Sequence, residues 1–232
     1  MKKLSIIIPV YNEEKTILKV INEVKKSNSL GLSKEIIVVD DFSTDKTRAV
    51  LKNLKYKSIE IFLHDKNLGK GSAIRTGLKN CSGDIILIQD ADLEYSPSEY
   101  PKLLKPILEG KAKVVYGSRL EEIKRNFSKM YKLHYFGNIF LTSATNFLYN
   151  ADITDMETGY KVFRKDAIKG INLKATRFDF EPEITAKILK KGIKIYEVPI
   201  SFHGRHFNEG KKISWRDGIK AMFYLLKYRL LD

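Results

Sequence analysis

Three carboxylates, Asp90, Asp92 and Glu94, follow one another two residues apart directly after the apolar run Ile85, Ile86, Leu87 and Ile88. Like charges this close repel and are costly to desolvate. They either open to solvent as an acidic turn or gather around a cation. Hard oxygen donors of this kind suit Mg²⁺ or Mn²⁺, which takes a few carboxylates and completes its shell with phosphate oxygens. A second acidic pair, Asp40 and Asp41, follows the run 35–39, and Arg119 closes a Gly-Ser-Arg step after the run 114–116. An arginine so placed either serves a surface salt bridge or grips a phosphate at two points with its planar fork.

The elements that must carry these residues are legible from periodicity. Residues 4–10 form a continuous apolar run. Ile17, Val20, Ile21 and Val24 then recur at helical spacing within 13–26. Strands are expected at 35–39, 59–63 and 85–88. Ser43, Thr44 and Asp45 offer caps for a helix running to Leu54, and further helices are expected at 71–79 and 98–108. Strands alternating with helices imply a parallel sheet with right-handed crossovers, whose ligands bind at the carboxyl ends of the strands. Asp40, Asp41, Asp90 and Asp92 then share one edge. The predicted architecture is α/β, with a mostly parallel central sheet, helices on both faces and a C-terminal amphipathic helix.

Beyond Arg119 the character changes. Residues 124–132 are basic with Phe127 and Tyr131 interleaved, and 135–149 are rich in Phe, Leu and Tyr without an acidic residue. Such a stripe either packs into a core or lies at a membrane interface. Residues 152–164 hold acidic groups before a short strand, and 178–191 form a helix stopped by Gly192. A strand is expected at 195–200 and a mobile, basic loop at 203–214. Residues 215–231 close the chain as an amphipathic helix, packed on the domain or lying on a bilayer.

The 232 residues fit one domain, 43% of them hydrophobic and 30% charged, which is the balance of an ordinary globular protein. A net charge of +14 points to an anionic partner: nucleic acid, a phosphorylated substrate or an acidic membrane surface. One cysteine, Cys81, excludes an internal disulfide and fits a reducing compartment. The N-terminus lacks a signal-peptide pattern, and no apolar run approaches the ~20 residues that span a bilayer. The expected location is therefore the cytosol or the cytosolic face of a membrane. Residues 67–77 imitate a nucleotide loop, but Lys70 sits between Gly69 and Gly71 instead of following the last glycine, so neither the P-loop nor the dinucleotide fingerprint is met. His203 and His206 lack the companions of a zinc site.

In order, PVYNEE, VVDDFSTDKT, NLGKGSA, DADLE and GSR resemble family 2 glycosyltransferases with the GT-A fold. TDMETGYKVFR, FDFEPEITAK and VPISFHGRHFNEGKKISWRDG are similar, more narrowly, to the polyprenyl (dolichyl) phosphate mannose and glucose synthases. The resemblance covers nearly the whole chain. It implies that Pro9, Tyr11 and Glu13 line the pocket for base and ribose with Val39 and Asp41 opposite, and that Asp90 and Ala91 touch the nucleoside. It further implies that Asp92 and Glu94 hold Mg²⁺ or Mn²⁺ on the diphosphate. Arg119, with Arg205 and Lys211 of a closing loop, would hold the donor and acceptor phosphates. The implied reaction is an inverting, metal-dependent transfer of a hexose from GDP-mannose or UDP-glucose to a polyprenyl phosphate, on a peripheral membrane surface and without nucleic acid. It divides the catalytic domain into a nucleotide-sugar half, 1–119, and an acceptor half, 120–232, and leaves open a homo-oligomer or a membrane partner protein. The rival readings are a transferase of the same fold with a polysaccharide or soluble acceptor, and a nonenzymatic basic module binding membrane or nucleic acid.

Overall fold

The computed structural model describes residues 2–54, 58–125, 129–204 and 215–231. Strand β1 (Lys3–Val10) is buried from Leu4 onward. It lies inside a seven-stranded sheet with β2 (Ser33–Asp40), β3 (Ile59–Leu63), β4 (Ile85–Ile88), β5 (Val114–Ser118), β6 (Lys161–Arg164) and β7 (Ile195–Pro199), ordered β3-β2-β1-β4-β6-β5-β7. A strand covered on both faces is largely apolar. Each fully buried Ile or Val contributes roughly 1.5–3 kcal/mol, so the run Ile6, Ile7, Ile8 anchors the sheet.

Helices cover both faces. Ile17, Val20, Ile21 and Val24 of α1 (Ile17–Lys26) join Leu51 of α2 (Thr47–Lys52) and Leu103, Leu104 and Ile107 of α4 (Tyr100–Leu108) in one core. On the other face Ile74 of α3 (Lys70–Asn80) packs with Ala167 of α7 (Lys165–Ile168) and Ile184 and Ile188 of α8 (Phe180–Lys190). The short α5 (Leu120–Arg125) leads toward α6 (Lys129–Tyr149). Leu141 of α6 and Ala221 and Leu225 of α9 (Trp215–Leu230) form a smaller core of their own. Among the described residues no helix is long and apolar enough to cross a membrane.

The strand pairings are parallel except at β6, which runs antiparallel to both β4 and β5. Uniform β-α alternation does not anticipate this reversal. Lys161, the first residue of β6, pairs with Ile88, the last of β4, so the segment entering β6 lies at the edge where the other strands end. The reversal therefore adds Asp155, Glu157 and Gly159 to the carboxyl edge.

Candidate active site

Three turns at that edge hold non-glycine residues in left-handed conformations: Asn12 (φ 53°), Phe42 (φ 64°) and Leu93 (φ 65°), after β1, β2 and β4. Such conformations cost of order 1 kcal/mol or more and persist where surrounding bonds enforce them. Asn12 is enforced from its neighbours: its N–H donates to Ser43 Oγ at 2.9 Å and its Oδ1 accepts from Thr44 N at 2.8 Å. The first two turns are thereby laced together beside a cleft of about 370 Å³.

Pro9, Tyr11, Glu13, Asp41, Asp90, Ala91, Asp92, Glu94 and Arg119 all line this cleft. Val39 stands apart from them. Its side chain is fully buried and packs with Ile37 and Ala73 between β2 and α3. Arg205 and Lys211, and nearly all of the loop 203–214, lie outside the described residues. Asp40 does not line the cleft either: its Oδ2 accepts from Arg48 Nε at 2.6 Å and Ser43 N at 3.2 Å.

Asp41 organises the loop that follows β3. Its Oδ1 accepts from Leu68 N at 2.8 Å and from His64 Nδ1 at 2.8 Å, and its Oδ2 from Gly69 N at 2.6 Å. A carboxylate can only accept, so His64 donates through Nδ1–H, and its Nε2 lies 2.9 Å from the Thr76 hydroxyl. The glycines of 67–77 serve packing. At Gly69 (φ +94°) a Cβ would meet the Thr176 carbonyl oxygen at 2.3 Å, and at Gly71 that of Ala175 at 2.9 Å. Gly71 N and Ser72 N donate to the carbonyls of Arg177 and Thr176 at 3.2 and 3.0 Å. The first turn of α3 is thus spent on protein and is not a phosphate cradle.

Lys70 is the site residue that sequence reasoning missed most directly. Its Nζ bridges Asp90 Oδ1 and Glu181 Oε1, each at 2.9 Å. Burial alone would lower the pKa of its ammonium group, but the two carboxylates outweigh this and hold it well above the ordinary lysine value. Gly159 leaves room for Asp90, since a Cβ there would stand 2.3 Å from Asp90 Oδ2. Glu157, Arg177 and Glu181 also line the cleft unforeseen. The acidic spacing in TDMETG and FDFEPE was the available signal.

Arg119 is committed to Asp155. Its Nε and Nη2 donate at 2.7 Å to the two carboxylate oxygens, and its backbone N donates to Oδ2 at 2.9 Å. Burial pushes the Asp155 carboxyl up, but Arg119 overcomes it and holds the group below the usual range. The guanidinium also lies 5.2 Å from the centre of the Phe202 ring, and Phe202 packs on Tyr95 at 5.3 Å. Arg119 is therefore a fixed cation with its fork oriented, and the nitrogen edge away from Asp155 is the part left for an anion.

Among the described residues no group of three or more His, Cys, Asp or Glu is arranged to hold a metal by itself. Asp92 and Glu94 nevertheless line the cleft together as hard oxygen donors, with Glu94 N donating to Asp92 Oδ1 at 3.1 Å. Two carboxylates on an open cleft suit an ion that takes its remaining ligands from a diphosphate. The Glu94 carbonyl accepts from His203 N at 3.0 Å, which fastens this turn to the segment leading into 205–214.

The family described as "Glycosyl transferase family 2" matches residues 5–171. A UDP-N-acetylglucosamine–dolichyl-phosphate N-acetylglucosaminyltransferase of Methanococcus voltae is 30% identical over 248 residues, covering 99% of this chain and 97% of that protein. A dolichol-phosphate mannosyltransferase of Pyrococcus furiosus is 33% identical over 216 residues, covering 90% of this chain and 59% of that one. Glucosyl-3-phosphoglycerate synthase of Mycobacterium tuberculosis, crystallised with Mn²⁺, UDP and phosphoglyceric acid, superposes with a TM-score of 0.72 at 21% identity, covering 100% of this chain and 80% of that one. This last likeness is one of fold.

Proposed function

The chain belongs to glycosyl transferase family 2, and from that membership we propose that it transfers a hexose from a nucleotide sugar, GDP-mannose or UDP-glucose, to a polyprenyl phosphate, with inversion at the transferred carbon. The observation that carries the reading is the convergence of Asp90, Asp92, Glu94 and Arg119 on one cleft with Pro9, Tyr11 and Glu13. Full-length similarity to an enzyme that acts on dolichyl phosphate supports the acceptor.

In this mechanism Pro9, Tyr11, Glu13 and Asp41 receive the base and ribose, and Asp90 and Ala91 the nucleoside. Asp92 and Glu94 would hold Mg²⁺ or Mn²⁺, which when bound neutralises the departing diphosphate. An acceptor phosphate monoester has its second pKa near ~6, so it reaches the cleft largely as a dianion and attacks without a general base. Its oxygen bonds to the anomeric carbon as the bond to the diphosphate oxygen breaks. Arg119, held rigid by Asp155, faces the phosphates, and Arg205 and Lys211 complete the clamp. Within one catalytic domain residues 1–119 supply most of the donor site and residues 120–232 the acceptor side, with Glu157, Arg177 and Glu181 completing the wall of the cleft.

A lipid acceptor also gives the surface a purpose. On α9, Ile219, Phe223, Leu226 and Leu230 are exposed at i, i+4, i+7 and i+11, and Phe136, Phe140 and Phe147 are exposed on α6. With a +14 charge they equip the protein to lie peripherally on an anionic membrane, its cytosolic face in this reading.

The test is transfer from a panel of UDP and GDP sugars, N-acetylglucosamine included, to a short polyprenyl phosphate with Mg²⁺ or Mn²⁺. One donor is expected to give lipid product that chelation abolishes, and Asp92→Asn is expected to lower the rate at least about 100-fold. Metal-dependent donor binding without lipid product would show the acceptor assignment to be wrong. Donor binding and turnover that ignore both metal and Asp92→Asn would overturn the site.

A further inference from the structure

Residues 153–156, between α6 and β6, belong to no helix or strand, yet each of their four backbone N–H groups donates to a side chain of another element. Ile153 N donates to Asn146 Oδ1 and Met156 N to Thr142 Oγ1, both at 3.1 Å and both on α6. Thr154 N and Asp155 N donate to the two carboxylate oxygens of Glu197 on β7, at 2.7 and 3.0 Å. The Ile153 carbonyl in turn accepts from Asn146 Nδ2 at 2.8 Å. Backbone polar groups away from water must be paired, and here side chains from two elements do it, which fixes the segment between them.

The same face of α6 reaches the Arg119 ion pair. Asn138, Thr142 and Asn146 stand at i, i+4 and i+8 and so lie above one another on the helix. Asn138 Nδ2 donates at 2.8 Å to Asp155 Oδ1, the oxygen that also takes Arg119 Nη2 at 2.7 Å. The Thr142 hydroxyl donates to Asn138 Oδ1 at 3.4 Å, so hydrogen bonds run from Met156 N through Thr142 and Asn138 to Asp155 and Arg119. Asn138, Thr142 and Asp155 are buried, whereas Phe136, Phe140 and Phe147 on the other side of α6 are exposed. A helix that only contributed packing would turn its apolar side inward. This one turns a polar stripe inward and commits it to one loop, and satisfied buried polar networks fix a unique geometry.

We propose that Asn138 and Thr142 of α6, with Glu197 of β7, are positioning residues for the transfer reaction: they hold Asp155 in place and through it aim the free edge of the Arg119 fork at the phosphates in the cleft. The proposal rests on the nucleotide-sugar reading of that cleft. Asp155 takes the Nε, the Nη2 and the backbone N of Arg119, so a shift of residues 153–156 carries the fork with it. Misplacing a positioned group by about 1 Å costs up to about 100-fold in rate. The three positioning residues are not among those that line the cleft, so replacing them leaves the substrate-facing side chains unchanged.

Thr142→Val removes one hydroxyl at nearly constant volume, and Thr142→Ser keeps it. Glu197→Gln leaves one acceptor oxygen for two N–H groups. These variants and wild type are compared in three ways: nucleotide-sugar binding by calorimetry, transfer to a short polyprenyl phosphate, and the arginine side-chain NMR spectrum. In that spectrum the Nε–H of Arg119, assigned with Arg119→Lys, reports its bond to Asp155. Thr142→Val and Glu197→Gln are expected to speed exchange of this proton with water and to lower kcat about tenfold, with KM for the nucleotide sugar within about twofold of wild type. Thr142→Ser should restore both readouts. Should Thr142→Val fail to fold, Glu197→Gln decides alone. An unchanged Arg119 signal in the variants overturns the proposal, and so does an altered signal with unchanged transfer. A fall in kcat that Thr142→Ser does not restore would make α6 a packing support and overturn it as well. Failure of wild type to bind any nucleotide sugar would instead defeat the reading of the cleft, and the positioning role with it.

Discussion

Lys70 connects Asp90, just past β4, to Glu181, which is 111 residues away in sequence. Removing one member of a buried ionic set leaves the others uncompensated, which costs about 3–5 kcal/mol. Lys70→Met is therefore expected to lower the urea unfolding free energy by roughly that amount, and an unchanged midpoint would refute the bridging role. Glu35, at the opposite end of the sheet, behaves differently. Burial would raise its pKa, but hydrogen bonds from Lys3, Ser5 and Ser82 hold it down to about 2. A depressed carboxylate adds stability that is complete above its ordinary value near ~4.5 and is lost as pH falls toward the folded value. Unfolding curves should show that loss between about pH 4.5 and 2, and Glu35→Gln should flatten this acid limb. Spacing pointed to Asp41, Asp90, Asp92, Glu94 and Arg119 among the residues lining the cleft. It did not show their pairings, because each partner comes from a distant part of the chain.

At the scale of elements, the site depends on how loops are pinned to one another. Glu183 of α8 accepts from Lys174 N at 2.9 Å and Ala175 N at 2.6 Å, and the segment it fixes receives the first turn of α3. Gly69 is the contact point, left-handed and with no space for a side chain. Gly69→Ala is expected to cost at least about 1–2 kcal/mol from backbone strain alone and to loosen the Asp41 loop. The check is a lowered melting temperature together with weaker nucleotide binding; a variant matching wild type in both would show the close approach to be unimportant. Periodicity located the helices and strands within a few residues, including α3 and α8. It missed α5 and α7, which are too short to show a period, and the reversal of β6, since four residues carry no mark of direction.

Across the whole molecule, α6 and α9 stand outside the two-faced sheet and pack on each other and on α8, leaving one apolar stripe of α9 uncovered. Anionic lipid attracts each nearby Lys or Arg by roughly 1 kcal/mol, and apolar side chains then enter the interface. The protein is expected to co-sediment with vesicles rich in anionic lipid at low salt. Phe223→Asp with Leu226→Asp should release it without changing nucleotide binding, and equal sedimentation of the variant would overturn the membrane role. The sequence by itself determined the α/β class, the order of most elements and the gathering of Asp40, Asp41, Asp90 and Asp92 at one edge, of which all but Asp40 line the cleft, because apolar period and turn chemistry are local properties. Only the tertiary structure decided that Arg119 is tied to Asp155, that Val39 points into the core, and that Lys70, Glu157 and Glu181 meet in the cleft. Those relations follow from strand order and the antiparallel insertion of β6, and they are set by how distant segments pack.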